Sequence, residues 1–356
     1  MSPILIISYL LSFVASILQI LYIPTLSMIV LQHSYTTLDI GLISGAASVI
    51  YTAGSAFSSM VTRTKGEKNV ITLSLVLLLL SYILMSYVHS REGIFFTAAI
   101  GLLSYSLFWP SIETIISTNK GSVSAFSFSW SSGTLFGSIL ASLTIIVDAE
   151  MLLKSYALLT LTMIIFSLKL SNNVKKIDEK PNLSDMIKAL TKLASSWKLS
   201  FAYAASLGGI LAYYPVIVEV NSFPVWNVST LFFSMILART IIFFLYDRIK
   251  GTSLKPLYGS ALLLASLAIP FIPDALAVVF LGVLAGCGQG ILYAISLEKA
   301  FTTEEHLRTV YTGLFEASIG LGYSLGPLIG GIFSQPLIEL SIIASTLLAI
   351  IISLLP

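Results

Sequence analysis

Two charged residues, Arg239 and Glu316, stand alone deep within long apolar runs. A charge at mid-bilayer costs roughly 2.5–3.5 kcal/mol even on insertion scales, so such residues pair with one another or mark a solute or proton pathway. Arg239 lies eight residues before Asp247, and Glu316 lies eight residues after Arg308. At about 1.5 Å of rise per residue, both sit roughly 12 Å from the same membrane face. Opposite charges at one depth can neutralise each other. The chemistry on offer is a switch: Glu316 takes a proton, Arg239 is released, and the guanidinium meets a polar or anionic part of a solute. A permanent structural pair is the other reading.

The remaining charged landmarks repeat. A shift of 185 residues carries Arg63 onto Arg248, Gly66 onto Gly251, Ser111 onto Ser296, Glu113 onto Glu298 and Gly137 onto Gly322. Both arginine–glycine pairs lie in short polar gaps, and both Ser-x-Glu pairs close a later apolar run. The spacing predicts two equivalent charge clusters at one membrane face, Glu113 with Arg63 and Glu298 with Arg248. They would act as a gate that biases two states. Two similar halves in a membrane protein are a signature of a secondary transporter.

These residues must be carried by membrane helices. Hydrophobic residues make up 56% of the chain and charged ones 10%, with a mean hydropathy of +0.94. A soluble domain carries roughly 25% charged residues. The apolar runs number twelve, at about 4–30, 38–61, 69–88, 93–117, 122–147, 151–170, 199–220, 226–246, 255–272, 275–298, 309–333 and 336–355. Each can cross a core of roughly 30 Å as a helix, and backbone groups in lipid require helices or a closed barrel. The expected class is an all-α polytopic membrane protein with six spans at 1–172, an inner linker at 173–197 and six spans at 198–356.

Basic residues set the orientation. With the N-terminus inside, sixteen of the nineteen Lys and Arg residues fall on the inner side, two (Arg91 and Lys154) outside, and Arg239 within a span. Both termini are therefore expected in the cytoplasm, with the protein in the cell membrane and working as a monomer among its lipids. The linker holds a basic amphipathic stretch, Leu183 to Lys198, that either lies on the membrane surface or serves as a tether. The first run is longer than a signal peptide and lacks a basic start, so it reads as a retained helix. Gly41/Gly45, Gly133/Gly137, Gly282/Gly286 and Gly322/Gly326/Gly330 allow close helix contact.

Several chemistries find no support in the sequence. No P-loop, metal-ligand cluster or placed nucleophile is present, so no cofactor and no bond chemistry are expected. The single cysteine, Cys287, offers no disulfide framework. His33, His89 and His306 fall in gaps and read as solvated. A net charge of +2 spread along one face gives no case for nucleic acid.

The loop MVTRTKGEKN after the second span looks like a degraded copy of the signature loop of the major facilitator superfamily, whose usual form is close to Gly-x-x-x-Asp-Arg-x-Gly-Arg-Arg. Arg63 and Gly66 remain, Thr62 occupies the acidic position, and the second copy LYDRIKG keeps Asp247, Arg248 and Gly251. FWPSIE and EASIGLGYSLGPLIGG are also similar to segments of that superfamily. The resemblance implies two six-helix bundles around a central cavity lined by the first, fourth, seventh and tenth spans. Polar stripes on those spans agree: Ser8, Ser12, Ser16 and Gln19; Tyr105 and Trp109; Tyr203, Ser206 and Tyr213; Gln289, Tyr293 and Ser296. Interhelical hydrogen bonding is the competing account of any one serine.

The expected function is secondary active transport of a small solute by alternating access, driven by protons through Glu316. Export of an amphipathic compound competes with uptake of an organic acid or sugar. From other classes, a transport-inactive sensor and an intramembrane lipid enzyme remain as alternatives.

Overall fold

The computed structural model describes residues 2–171, 191, 194–249, 255–301, 308–335 and 337–355. Twelve helical segments carry the described chain: α1 (Pro3–Gln32), α2 (Thr37–Lys65), α3 (Glu67–Met85), α4 (Arg91–Thr118), α5 (Val123–Ile139), α6 (Ala149–Ser167), α7 (Ala194–Val220), α8 (Trp226–Ile249), α9 (Pro256–Leu263), α10 (Ala275–Phe301), α11 (Arg308–Phe333) and α12 (Leu340–Leu354). A four-residue turn, Leu143–Ile146, follows α5, and two 3-10 turns extend α9 to Phe271. Among the described residues, eight helices are long and apolar enough to cross a membrane. Segments α5, α9, α11 and α12 complete the twelve-helix architecture expected from the sequence.

Local signals place the ends. Ser2 caps α1 ahead of Pro3, where a missing N–H costs nothing. Thr36 and Asp39 form a reciprocal capping box on α2: the Thr36 N–H donates to Asp39 Oδ2 at 2.9 Å and the Asp39 N–H to Thr36 Oγ1 at 3.3 Å. Between α2 and α3 the chain turns at Gly66 with φ +83°, a conformation open to glycine and strained for side chains. That is the physical reason for the glycine in the first signature loop. Its repeat, Gly251, lies outside the described residues, as do His306 and the linker helix through residue 190.

Large apolar side chains such as Phe96, Leu158, Phe244 and Leu276 are exposed on the outside, while many serines are buried inside. Lipid is the solvent that makes this distribution stable. The helix pairings repeat between halves. The first half packs α1 on α5 and α6, α2 on α4, and α3 on α4 and α6; the second packs α7 on α11 and α12, α8 on α10, and α9 on α10 and α12.

The bundles meet along α2–α11, α1–α7 and α5–α8. The α2–α11 seam has glycine on both sides: a Cβ on Gly41 would come 2.5 Å from the Pro327 carbonyl, and one on Gly45 2.8 Å from that of Ser324. Every cross-bundle hydrogen bond between described residues lies from mid-membrane to the end away from the termini. There Ser142 and Ser229 exchange backbone-to-hydroxyl bonds of 2.9 and 3.1 Å, and Ser334 donates to Thr37 at 2.7 Å. Toward the basic end, Pro110, Glu113, Trp130, Tyr293 and Glu316 are only half-buried. Among the described residues, the hydrogen bonds that join the bundles gather at the end away from the termini.

Candidate functional site

Toward the basic end stands a charged, aromatic centre built by both bundles. Arg239 on α8 is buried; its Nη1 donates to the Tyr203 hydroxyl at 2.7 Å, and its guanidinium carbon stands 5.6 Å from that ring's centroid. The Tyr203 ring meets Tyr293 at 5.0 Å, and Tyr293 in turn meets Phe243 at 5.0 Å and Phe315 at 5.6 Å. Trp130 on α5 continues the series across the seam to Phe243 at 6.4 Å. Tyr323 sits against Tyr203.

Glu316 on α11 is held from the other bundle: the Tyr51 hydroxyl on α2 donates to its Oε2 at 2.9 Å. Glu113 on α4 is half-buried and has no hydrogen-bond or ion-pair partner among the described residues. It lies within electrostatic reach of Glu316. Tyr293 is the common neighbour, within reach of Glu113, Glu316, Arg239 and Tyr203 at once. Its own hydroxyl has no hydrogen-bond partner among the described residues.

Arg239 and Glu316, expected at one depth, come to the same centre, yet no ion pair joins them. Each holds a tyrosine instead, because a phenol can approach from a neighbouring helix. Of the expected gate clusters, only Glu113, Arg248 and Glu298 have described side chains. Arg248 is exposed and makes no ion pair with Glu298, whose Oε2 accepts from Tyr246 at 2.6 Å. The side chains of Arg63 and Asp247 are outside the described set. Thr62 and Ser111 bond hydroxyl to hydroxyl at 2.9 Å between α2 and α4.

The polar stripes divide. Gln19 is half-buried and accepts from Trp109 Nε1 at 2.9 Å, joining α1 to α4. Ser12 bonds the Ser8 carbonyl of its own helix, and Ser16 packs against Gly133 of α5. Tyr213 donates to the Pro327 carbonyl at 2.8 Å, closing α7 on α11. Gln289 is fully buried, its Nε2 directed at Met235 Sδ at 3.4 Å, with Oε1 unpartnered. Ser206 is buried with a free hydroxyl. Tyr105 lies away from the seam: it is buried inside the first bundle and bonds Tyr82 on α3 at 3.0 Å. Tyr51, Trp130, Phe243, Phe315 and Tyr323 were not singled out by sequence. Tyr51 follows Ser44 and Ser48 on the small, polar stripe of α2, the one signal that could have marked it.

Repeated six-helix bundles with a half-exposed ionisable centre between them have the architecture of a membrane transport protein. The sequence model of the Major Facilitator Superfamily matches residues 8–302, and the chain belongs to that superfamily, a family of transporters. Its fold is similar to that of a point mutant of the nucleoside transporter NupG, with TM-score 0.83 and 15% identity over 98% of each chain. It is also similar to a bacterial homolog of the human lysosomal transporter Spinster in an inward-facing, unoccupied conformation, with TM-score 0.79, 12% identity, and coverage of 98% of this chain and 95% of that one. The human organic anion transporter MFSD10 gives TM-score 0.71 and 15% identity over 99% of each chain. At these identities the likeness is one of fold. No curated protein sequence matches.

Proposed function

We propose that this chain moves a small amphipathic or aromatic solute across the cell membrane by alternating access, coupled to protons through Glu316. The observation that carries the reading is the Tyr51–Glu316 bond. It joins an ionisable, half-buried group to the opposite bundle, so gain of a proton weakens a contact between the two moving bodies. A bond to a charged acceptor is worth about 1.5–3 kcal/mol, enough to bias two states of similar energy. With the basic end cytoplasmic by the positive-inside rule, the half-buried centre toward that end supports an inward-facing reading of this conformation. The aromatic lining supports an apolar or aromatic solute body.

The test uses proteoliposomes and a solute chosen by thermal-shift screening. Glu316→Gln abolishes accumulation driven by a pH gradient and leaves solute counterflow intact. Accumulation that survives the substitution removes Glu316 as the coupling site. A wild-type protein that moves no solute that stabilises it would favour a sensor.

A further inference from the structure

The centre has an uneven charge inventory. Three ionisable groups surround Tyr293: Glu113, Glu316 and Arg239. Arg239 is taken up by Tyr203 through both a hydrogen bond and its ring face. Glu316 is taken up by Tyr51. Glu113 has no hydrogen-bond or ion-pair partner among the described residues. A solute with one positive charge supplies the partner that Glu113 lacks among the described residues.

The rings supply an independent observation. Trp130, Phe243, Tyr293 and Phe315 form a continuous aromatic series, and among the described residues none of the four carries a cation, whereas Tyr203 already has one over its face. Aromatic faces attract cations, by about 0.5–1 kcal/mol when exposed and about 2 kcal/mol or more when desolvated. The Tyr293 hydroxyl, at the centre of the series, has no hydrogen-bond partner among the described residues. One turn before it on α10, Gln289 keeps a buried oxygen without a donor.

We propose that the seam between the bundles binds a small organic cation with an aromatic or apolar body, its positive charge neutralised by Glu113 and its body seated among Trp130, Phe243 and Tyr293. The site draws on both bundles, Glu113 and Trp130 from the first and Phe243 and Tyr293 from the second, so the cation bridges them. This names the solute class for the transport reading and rests on that reading for turnover, while binding itself requires no gradient.

The probe is radiolabelled tetraphenylphosphonium, bound at equilibrium to the purified full chain in detergent. Wild type binds it saturably, and neutral triphenylphosphine oxide does not displace it. Glu113→Gln lowers the affinity by roughly tenfold or more, as expected for loss of a desolvated charge partner. Phe243→Ala, which leaves the charges in place, lowers it by about threefold or more. If Glu113→Gln fails to elute as a folded monodisperse species, Glu113→Asp keeps the charge and retains binding. Absence of saturable binding by wild type, displacement by the neutral analogue, or undiminished affinity in Glu113→Gln or Phe243→Ala each overturns the proposal. A wild-type protein that accumulates other solutes but does not bind the phosphonium sinks the cation site alone. Intact phosphonium binding with persistent pH-driven accumulation in Glu316→Gln sinks the coupling role alone.

Discussion

Two tyrosine clusters lie in this molecule, and they are built to opposite ends. Inside the first bundle, Tyr22, Tyr82, Tyr105 and Tyr156 stack with ring centroids 5.5–6.0 Å apart. Every hydroxyl is answered: Tyr22 donates to the Ala98 carbonyl at 3.1 Å, Tyr82 and Tyr105 bond each other at 3.0 Å, and Tyr156 meets Thr25 at 3.1 Å. All four are buried. At the seam, Tyr203 and Tyr293 stack just as closely, but the Tyr293 hydroxyl and Arg239 Nε lack hydrogen-bond partners among the described residues, and charges stand among the rings. A saturated polar cluster fixes a structure. An unsaturated one keeps bonding capacity for something that comes and goes.

The largest effect should separate the clusters outright. Tyr105→Ala leaves a cavity and strips Tyr82 of its partner, a change worth about 3–5 kcal/mol by analogy with other aromatic truncations. Its thermal midpoint should fall sharply, with solute affinity unchanged in whatever remains folded. Tyr293→Ala should do the reverse, holding the midpoint within a few degrees while solute binding collapses. Equal loss of stability in both variants would erase the distinction.

A smaller effect is expected from Tyr51→Phe, which keeps the ring and removes the hydrogen bond to Glu316. The state described here loses about 1.5–3 kcal/mol of a charge-assisted contact. Spin labels at positions 142 and 229 should report a larger fraction of molecules with the end away from the termini open. An unchanged distance distribution would make the Tyr51–Glu316 bond a bystander.

The smallest effect belongs to the polar rim of the first bundle. His33 follows α1, and its ring nitrogen lies 3.3 Å from that of His89. Partial burial, then the charge of His89, hold its imidazole below the ordinary 6.5. As pH falls below that value the unfolded chain takes up its proton first, so stability declines with acidification until the folded His33 is protonated as well. His89→Gln should flatten this decline, seen as a smaller drop in thermal midpoint between about pH 7 and about pH 5. A steeper drop would show that His89 stabilises His33 instead.

The sequence made the span pattern legible because lipid leaves few ways to arrange apolar runs and rare charges. Helical rise is fixed, so sequence alone could assign Arg239 and Glu316 a depth. What it could not supply was azimuth across the seam. Tyr51 reaches Glu316 from a helix 265 positions away, and no local periodicity reports that. Ser12 shows why a polar stripe is ambiguous: its hydroxyl is satisfied by the carbonyl four residues back, so it carries no information about water. Tyr105 obeyed the same four-residue spacing as Trp109, yet it turns toward α3, since a phenol finds partners on any side. Glu113 read as a helix-end residue, because its distance from the centre depends on how α4 crosses the other helices.

One feature of α7 reaches back to synthesis. In its most apolar window 94% of residues are buried, against 39–56% in the other long spans, and it packs on α1, α10, α11 and α12. A helix with almost no face for lipid is a poor guest of the bilayer until its neighbours arrive, and three of those four are made after it. Newly made α7 therefore waits against α1 of the finished first half, and the ribosome must complete α12 before it is enclosed. Chains cut short beyond α7 but before α11 should be the ones that quality control finds first.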